Sequence, residues 1–194
     1  MKSYQYLGQI VTDDGRCDTE IKRRIGIAKT SFVKMKDVLT SKRMMLSTRK
    51  RLLHCYVMST LLYGCETWTI SKQMGKRLEA FELWAYRKML RISYMEHRTN
   101  DWVLKLVGEE RKLLNSIKTK KCQYFGHIVR AQKIQHHLLQ GKLNGRRGRG
   151  RPRRTWLKDI AEWTGLSMID ATHAAQDRRR WRFMVGQALK SMPP

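Results

Sequence analysis

Acidic residues and paired cysteines are scarce in this chain of 194 residues, and it has no long apolar run. Only 16 Asp and Glu face 41 Lys and Arg, so the formal net charge is +25. This imbalance is typical of a protein with a polyanionic partner rather than of an ordinary solvated surface. We expect nucleic acid as that partner, ahead of an anionic membrane surface.

The cysteines and the short apolar runs narrow the class of protein further. The four cysteines are scattered, and no two of them form a C-x-x-C pair. Reduced thiols among apolar helical residues behave as small hydrophobes. We therefore expect a reducing, intracellular compartment, either nuclear or cytoplasmic. No run of about 18 apolar residues is present, so we expect no membrane partner.

No cluster of side chains predicts a metal site, and we expect no cofactor. Zinc sites need paired ligands two to four residues apart. Cys122 and His127, with His136 or His137, have passable spacing, but a fourth ligand is missing. No nucleophile is paired with a base in a recognisable motif. We therefore expect no enzymatic activity from this chain on its own.

Apolar residues at helical spacing fill most of the chain, which predicts a mainly α fold. Between Ile21 and Leu39 they recur at intervals of three and four, so one continuous helix with a basic outer face is expected. A second helix is expected to start at Ser47 or Thr48. Side chains that can accept hydrogen bonds from a helix N-terminus precede later helices. These predicted caps are Ser71, Asn100, Thr155 and Ser167.

The N-terminal residues alternate in a different way. From Tyr4 to Val11, aromatic or apolar residues alternate with polar ones, which predicts one short β-strand ahead of the helices. A lone strand is not stable, so we expect the chain to be a fragment that lacks a preceding region. Paired aspartates such as Asp13 and Asp14 hold metals in polymerases. Gly15 directly after them favours a turn instead.

The stretch from Gly145 to Arg154 stands apart from the helices. Six of its ten residues are arginine, and it has no large apolar side chain to bury. Within it, Gly150-Arg151-Pro152-Arg153 is similar to an AT-hook, whose proline keeps the backbone extended while arginines enter an A·T-rich minor groove. The alternative is a flexible basic tether that contacts the phosphates of any nucleic acid.

Cations on the predicted outer helix faces and in the arginine stretch are the candidate binding residues, because phosphate neutralisation supplies most nucleic-acid affinity. They are Lys22, Arg23, Arg24 and Lys29 on the first helix, Arg49, Lys50 and Arg51 on the second, Arg146, Arg147, Arg149, Arg151, Arg153 and Arg154 in the arginine stretch, and Arg178 and Arg182 in the last helix.

Several short motifs occur in order along nearly the whole chain. They are Tyr6-Leu7-Gly8, Asp14-Gly15 with Glu20-Ile21, Arg24-Ile25 and Ala28, Leu61 to Trp68 (Leu-Leu-Tyr-Gly-Cys-Glu-Thr-Trp), Arg87 to Ile92, Tyr124 to Arg130, Gly148 to Arg153 with Trp156, and Asp177-Arg178 with Trp181-Arg182. Together they resemble the region after the catalytic core in the endonuclease–reverse transcriptase of non-LTR (LINE-type) retrotransposons.

The resemblance implies a role beside a template–primer duplex. It implies that Tyr6-Leu7-Gly8 is the primer-grip end of the palm and that the following helices form the thumb. The family's paired catalytic aspartates belong upstream of that motif, and Asp13 and Asp14 do not match them. Polymerase activity is therefore not carried over, although reverse-transcriptase domains supplied in trans are a possible partner.

These observations lead to one expected organisation. Residues 1–95 are expected to hold the primer-grip-like strand and the thumb-like bundle, residues 96–140 a helical connector, residues 141–154 the arginine-rich linker, and residues 155–194 the C-terminal helices. The expected function is non-catalytic binding of an RNA–DNA hybrid, RNA or DNA. Two alternatives remain, a domesticated DNA-binding protein that uses the AT-hook-like segment and a protein-interaction module.

Overall fold

The computed structural model describes residues 3–13, 15–131 and 154–191. These residues are mainly helical and begin with a small sheet, which confirms the predicted fold class. The chain divides into two compact units, Met1–Asn115 and Ser116–Pro194. None of the described helices has the length and apolar content needed to cross a membrane.

The N-terminal segment is a hairpin and not the single strand that the alternation predicts. Strand β1, Ser3–Tyr6, pairs antiparallel with strand β2, Gln9–Thr12. Leu7 and Gly8 connect them, both with positive φ, at 46° and 75°. Two such residues give the twist that suits a two-residue hairpin loop. The prediction missed the turn because leucine rarely adopts this conformation.

The first unit continues with helices that follow the apolar pattern, with one interruption. Helix α1, Asp18–Lys34, ends where Met35 leaves the helical conformation, and α2, Lys36–Leu39, follows it. The prediction of one continuous helix is therefore wrong at Met35. The predicted apolar face is confirmed, since Ile21, Ala28 and Leu39 are all fully buried.

The next helix contains a wider turn. Helix α3, Leu46–Leu52, continues through a π-helical turn, Leu53–Met58, into the short α4, Ser59–Leu61. Helix α3 starts at Leu46 without a side-chain cap, so the predicted cap at Ser47 or Thr48 is wrong. The Ser59 and Thr60 hydroxyls donate to carbonyls one turn back, a contact that competes with regular helix bonding.

The remaining helices of the first unit begin at polar caps. Helix α5, Lys72–Leu90, starts where the Ser71 hydroxyl accepts from the Met74 amide at 3.2 Å, as predicted. Helix α6, Asn100–Val107, is capped by Thr99 and not by Asn100. A 3-10 turn, Cys65–Thr67, precedes α5, and a second one, Tyr94–Glu96, follows it.

Helix α7, Leu113–Ala131, starts at a buried carboxylate. Glu82 of α5 accepts the backbone N–H groups of Lys112 and Leu113 at 3.0 and 3.1 Å. These donors have no partner within the helix, so the carboxylate takes the place of a cap. Burial raises the pKa of Glu82 above its usual value, although the two amides and Tyr86 oppose that rise.

Residues 154–191, the described part of the second unit after α7, form three further helices, α8 (Trp156–Thr164), α9 (Met168–Gln176) and α10 (Arg178–Ser191). Thr155 and Ser167 cap α8 and α9, as predicted. Gly165 ends α8 in the left-handed conformation, which is also as predicted. Trp163, Trp181 and apolar residues of α7 that lie in this unit are buried in its core.

Candidate nucleic-acid interface

The tip of the hairpin is held by charged side chains of α1. We call the five residues of this contact the hairpin latch (Gly8, Glu20, Arg23, Arg24 and Tyr63). Arg23 and Arg24 both donate to the Gly8 carbonyl. Glu20, which is 3% exposed, pairs with both guanidinium groups at 2.7 to 2.8 Å. The Arg24 guanidinium also lies over the Tyr63 ring, 4.4 Å from its centroid.

The ionised form of Glu20 is favoured in this latch. Burial by itself would raise its pKa, but hydrogen bonds from Arg23, Arg24 and the Ile10 amide outweigh burial and hold the pKa below its usual value. One buried carboxylate thus faces both latch arginines, and the Gly8 carbonyl accepts from each of them. Arg23 and Arg24, predicted as nucleic-acid contacts, connect the sheet to α1.

The distinctive motif from Leu61 to Trp68 receives the hairpin from the other side. The Tyr63 hydroxyl donates to the Leu7 carbonyl at 3.1 Å, and Thr67 donates to the Gln9 side chain at 3.2 Å. Gly64 has φ of 68°, and a Cβ atom there would lie 1.5 Å from the Gln9 amide nitrogen. The positive φ favours glycine here, and a larger residue would also displace the end of the Gln9 side chain.

The three predicted cations of α3 have different surroundings. Arg49 donates to the Met89 carbonyl at 3.1 Å. Lys50 donates to the Val107 carbonyl at 3.0 Å and pairs with Glu109 at 3.3 Å. Arg51 is exposed. Two of the three therefore join α3 to neighbouring parts of the first unit, and Arg51 alone of the three faces outward.

Lys22 and Lys29 present their charges on the outer face of α1. Both are exposed, and a spacing of seven residues places them on the same side of the helix. The Lys29 ammonium lies 5.2 Å from the centroid of the Trp84 ring of α5. Trp84 also contacts Phe32 edge-on and stacks on Phe81. Trp84 lies in the C-terminal half of α5, so the indole ring brings Lys29 next to that half of the helix.

A basic groove surrounds the C-terminal end of α5, and none of the predicted site residues lines this groove. Two adjoining cavities of about 500 Å³ each share Arg87, Lys88 and Ile92 as lining residues, and Trp84 lines one of them. The cations and the exposed aromatic residue of this α5 groove are Lys36, Arg87, Lys88, Arg91, Tyr94 and Arg98. The sequence signal that could have found the groove is the motif from Arg87 to Ile92, which contains two of its arginines.

Arg154 of the second unit belongs to a buried ion network. Its guanidinium pairs with Asp159 and with Glu162, and Asp159 also pairs with Lys121 at 2.5 Å. Lys121 and Asp159 are 0% exposed, and the rings of Trp156 and Trp163 lie within 4.9 and 5.2 Å of the lysine ammonium. Arg154 therefore joins the start of α8 to this network.

Arg178 and Arg182 are both exposed on adjacent turns of α10. The residue before them, Asp177, accepts from the backbone N–H groups of Arg180 and Arg179, and these bonds lower its pKa. Its role is that of a helix cap. Trp181 points the other way and donates to the Cys122 carbonyl at 2.8 Å inside the unit.

The motif around Gly126 is explained by the same tryptophan. A Cβ atom at Gly126 would lie 2.7 Å from the Trp181 ring, which is too close for any other residue without rearrangement. Burial raises the pKa of the neighbouring Cys122 thiol to about 12, so this residue stays protonated. Two motifs that are far apart in sequence therefore meet in one closely packed contact.

Arg146, Arg147, Arg149, Arg151 and Arg153 lie outside the described residues, as does Asp14. Across residues 3–13, 15–131 and 154–191, no group of three or more His, Cys, Asp or Glu side chains is arranged to hold a metal. At Asp13, the Gly15 amide donates to the Thr12 carbonyl at 3.0 Å, as in a tight turn.

The chain is similar to a protein of Caenorhabditis elegans, F52C9.6, whose name describes it as uncharacterized and transposon-derived. The two are 25% identical over 197 aligned positions, which cover 94% of this chain and 69% of the relative. This similarity indicates a transposon-related origin. No protein-family model matches the chain. No solved structure matches it either.

Proposed function

We propose that this protein is a non-catalytic, nucleic-acid-binding part of a LINE-type reverse transcriptase that contacts a template–primer duplex through its phosphates. The observation that carries the proposal is the net charge of +25, together with cations that stay exposed after the internal pairs have formed. The transposon-derived relative and the ordered reverse-transcriptase-like motifs support it. With such a ligand, we propose that the protein acts inside the cell, in the nucleus or the cytoplasm.

The mechanism is phosphate neutralisation by outward-facing lysines and arginines. Lys22 and Lys29 share one face of α1, and Arg51 is exposed on α3, so these three are the thumb-like contacts that the proposal selects. Contacts to the backbone read the shape of a helix and not its sequence, which suits an A-form-like RNA–DNA hybrid. Polymerisation is not proposed, because nothing in the sequence matches the family's paired catalytic aspartates.

A salt titration of binding tests this proposal. The ligands are an RNA–DNA hybrid, an A·T-rich DNA duplex and a G·C-rich DNA duplex, and the variant is Lys22→Gln with Lys29→Gln. The control is Lys76→Gln with Lys105→Gln, which removes the same charge from two other exposed positions. Removing one lysine–phosphate interaction should lower the slope of log affinity against log salt by about 0.9.

We expect the hybrid to bind best, and the α1 variant to lower the salt slope by about 2, at about 0.9 for each lysine. Equal reductions in the α1 variant and the control would contradict specific contact by α1. A clear preference for the A·T-rich duplex, removed by changing Arg149 and Arg151, would replace the proposal with the AT-hook function. Tight, salt-resistant binding to a protein with no binding to nucleic acid would replace it with an interaction module.

A further inference from the structure

The α5 groove holds positive charge that the protein does not balance. Five cationic side chains line it, and Asp37 is the one carboxylate among the lining residues of the two cavities. Within the described part of the chain, none of the five cations forms an ion pair with a carboxylate. The groove is therefore suited to an anion from outside, since its cations are already close together.

Two of these arginines are held in place by neutral acceptors. Arg87 donates to the Arg98 carbonyl at 2.7 Å and to the Asn100 side chain at 3.1 Å. Arg91 donates to the Thr40 hydroxyl at 3.4 Å. Neutral acceptors fix the direction of a guanidinium group without cancelling its charge. The arrangement is preorganised for a phosphate, which arginine binds through charge-assisted hydrogen bonds.

An aromatic side chain stands at the rim of the same groove. Tyr94 is 87% exposed, although it belongs to an ordered 3-10 turn. Ser93 and Glu96 fix that turn, because the Ser93 amide donates to the Glu96 carboxylate at 2.7 Å and its hydroxyl accepts from the Met95 amide at 3.3 Å. The His97 ring is the neighbour of Tyr94, with centroids 5.8 Å apart.

The backbone conformation of Arg91 is a further indication that this cation has a function in the groove. Its φ of 60° lies in the left-handed region, at the C-terminal end of α5, where glycine is the favoured residue. An arginine here keeps its charge in the groove at a conformational cost. Replacing it with glycine removes the cation and relieves the backbone, so charge and folding can be tested separately.

We propose that the α5 groove binds single-stranded nucleic acid, with phosphates at Lys88 and Arg91 and an unstacked base against the Tyr94 ring. A duplex keeps the faces of its bases stacked on one another, so only a strand with a free base can use both features. RNA and DNA share this chemistry. The inference rests on the proposed function. It adds a second binding site, the α5 groove, and a second form of ligand, a single strand, to the duplex contact on α1.

The experiment measures binding of the full chain to a labelled 12-nucleotide single strand, as RNA and as DNA, and to the RNA–DNA hybrid. The variants are Tyr94→Ala, Tyr94→Phe and Arg91→Gly. The controls are Tyr56→Ala, an exposed tyrosine elsewhere in the first unit, and Lys76→Gln, which lies on α5 about 18 Å from Lys88 along the helix axis. Circular dichroism and thermal unfolding show that each variant is folded.

We expect Tyr94→Ala to weaken single-strand binding about tenfold. We expect Tyr94→Phe to bind as tightly as the wild type, because base stacking needs the ring and not the hydroxyl. Arg91→Gly should unfold no earlier than the wild type and lower the single-strand salt slope by about 0.7. The two controls should stay within about twofold of the wild type, and no variant should change hybrid binding by more than that, as expected for surface changes outside the binding site.

The outcomes separate the two proposals. If the wild type binds the hybrid and Tyr94→Ala and Arg91→Gly bind single strands as the controls do, the groove inference is wrong and the proposed function stands. If the wild type binds no nucleic acid of any form, both are wrong. If Tyr94→Phe binds single strands as weakly as Tyr94→Ala does, stacking on this ring is excluded.

Discussion

The hairpin latch and the α5 groove both place arginines beside a backbone turn, yet they use the charge in opposite ways. In the latch, Arg23 and Arg24 face the buried carboxylate of Glu20. In the groove, Arg87 and Arg91 contact only neutral acceptors among the described residues. Each place holds two such arginines, so the position of the carboxylate decides whether an arginine stabilises the fold or stays available to a ligand.

Removing the latch carboxylate should have the largest effect. Glu20→Ala leaves Arg24, which is 7% exposed, buried without its partner, and breaking a buried ion pair in this way costs about 3 kcal/mol. Native-state hydrogen exchange of the residues of α1 should report this destabilisation. The control Glu110→Ala removes an exposed carboxylate and should change little. A comparable destabilisation in both variants would mean that Glu20 acts through overall charge.

Protonating the same carboxyl should have a smaller effect, because the group remains in place. The folded-state pKa of Glu20 is lowered, so its contribution is full above the unfolded value near 4.5 and is lost as pH falls through the folded value. Glu82 has the opposite sign. Its folded-state pKa is raised, so its contribution is full below about 4.5 and is lost as pH rises through the folded value.

The stability of the first unit should therefore pass through a maximum at mildly acidic pH. Hydrogen exchange of α1 and α5 measured at several pH values checks this expectation. Glu82→Gln should flatten the fall on the neutral side and Glu20→Gln the fall on the acid side. A single monotonic curve that neither substitution alters would show that these two carboxyl groups do not control the pH dependence.

The smallest effect comes from two adjacent cations of α3. Lys50→Gln removes a charged hydrogen bond to the Val107 carbonyl and a partly exposed pair with Glu109, so we expect the free energy of unfolding to fall by about 1 kcal/mol. Arg51→Gln should change the free energy of unfolding by less than about 0.5 kcal/mol. Urea denaturation measures both. Equal decreases would remove the distinction between inward and outward cations on this helix.

The sequence predicted those features that depend on local pattern. The apolar spacing identified the helical class and the face of α1, and Ser71, Thr155 and Ser167 identified three helix starts, because caps act within one turn. The hairpin was missed because Leu7 adopts a conformation that its residue type disfavours. Its stability depends on Gly8 meeting α1, a contact that no local pattern encodes.

The candidate site was harder to predict for the same reason. Arg23, Arg24 and Arg51 look alike in sequence, since each lies in a basic run on an amphipathic helix. Only the folded arrangement shows that Glu20 pairs with two of these arginines and that the third is exposed. Arg91 carried a clue that is visible only with the backbone, because its positive φ at the end of α5 has no sequence signature.

The buried Lys121 also has a consequence for chemical labelling. Of the many lysines that an acylating reagent could modify, this one is enclosed by Asp159 and two indole rings, at 0% exposure. We therefore expect its amine to react only when the second unit opens. Mass spectrometry of the acylated protein would thus measure the rate of that opening from the rate at which Lys121 is modified. The exposed lysines of the same chain serve as the internal standard.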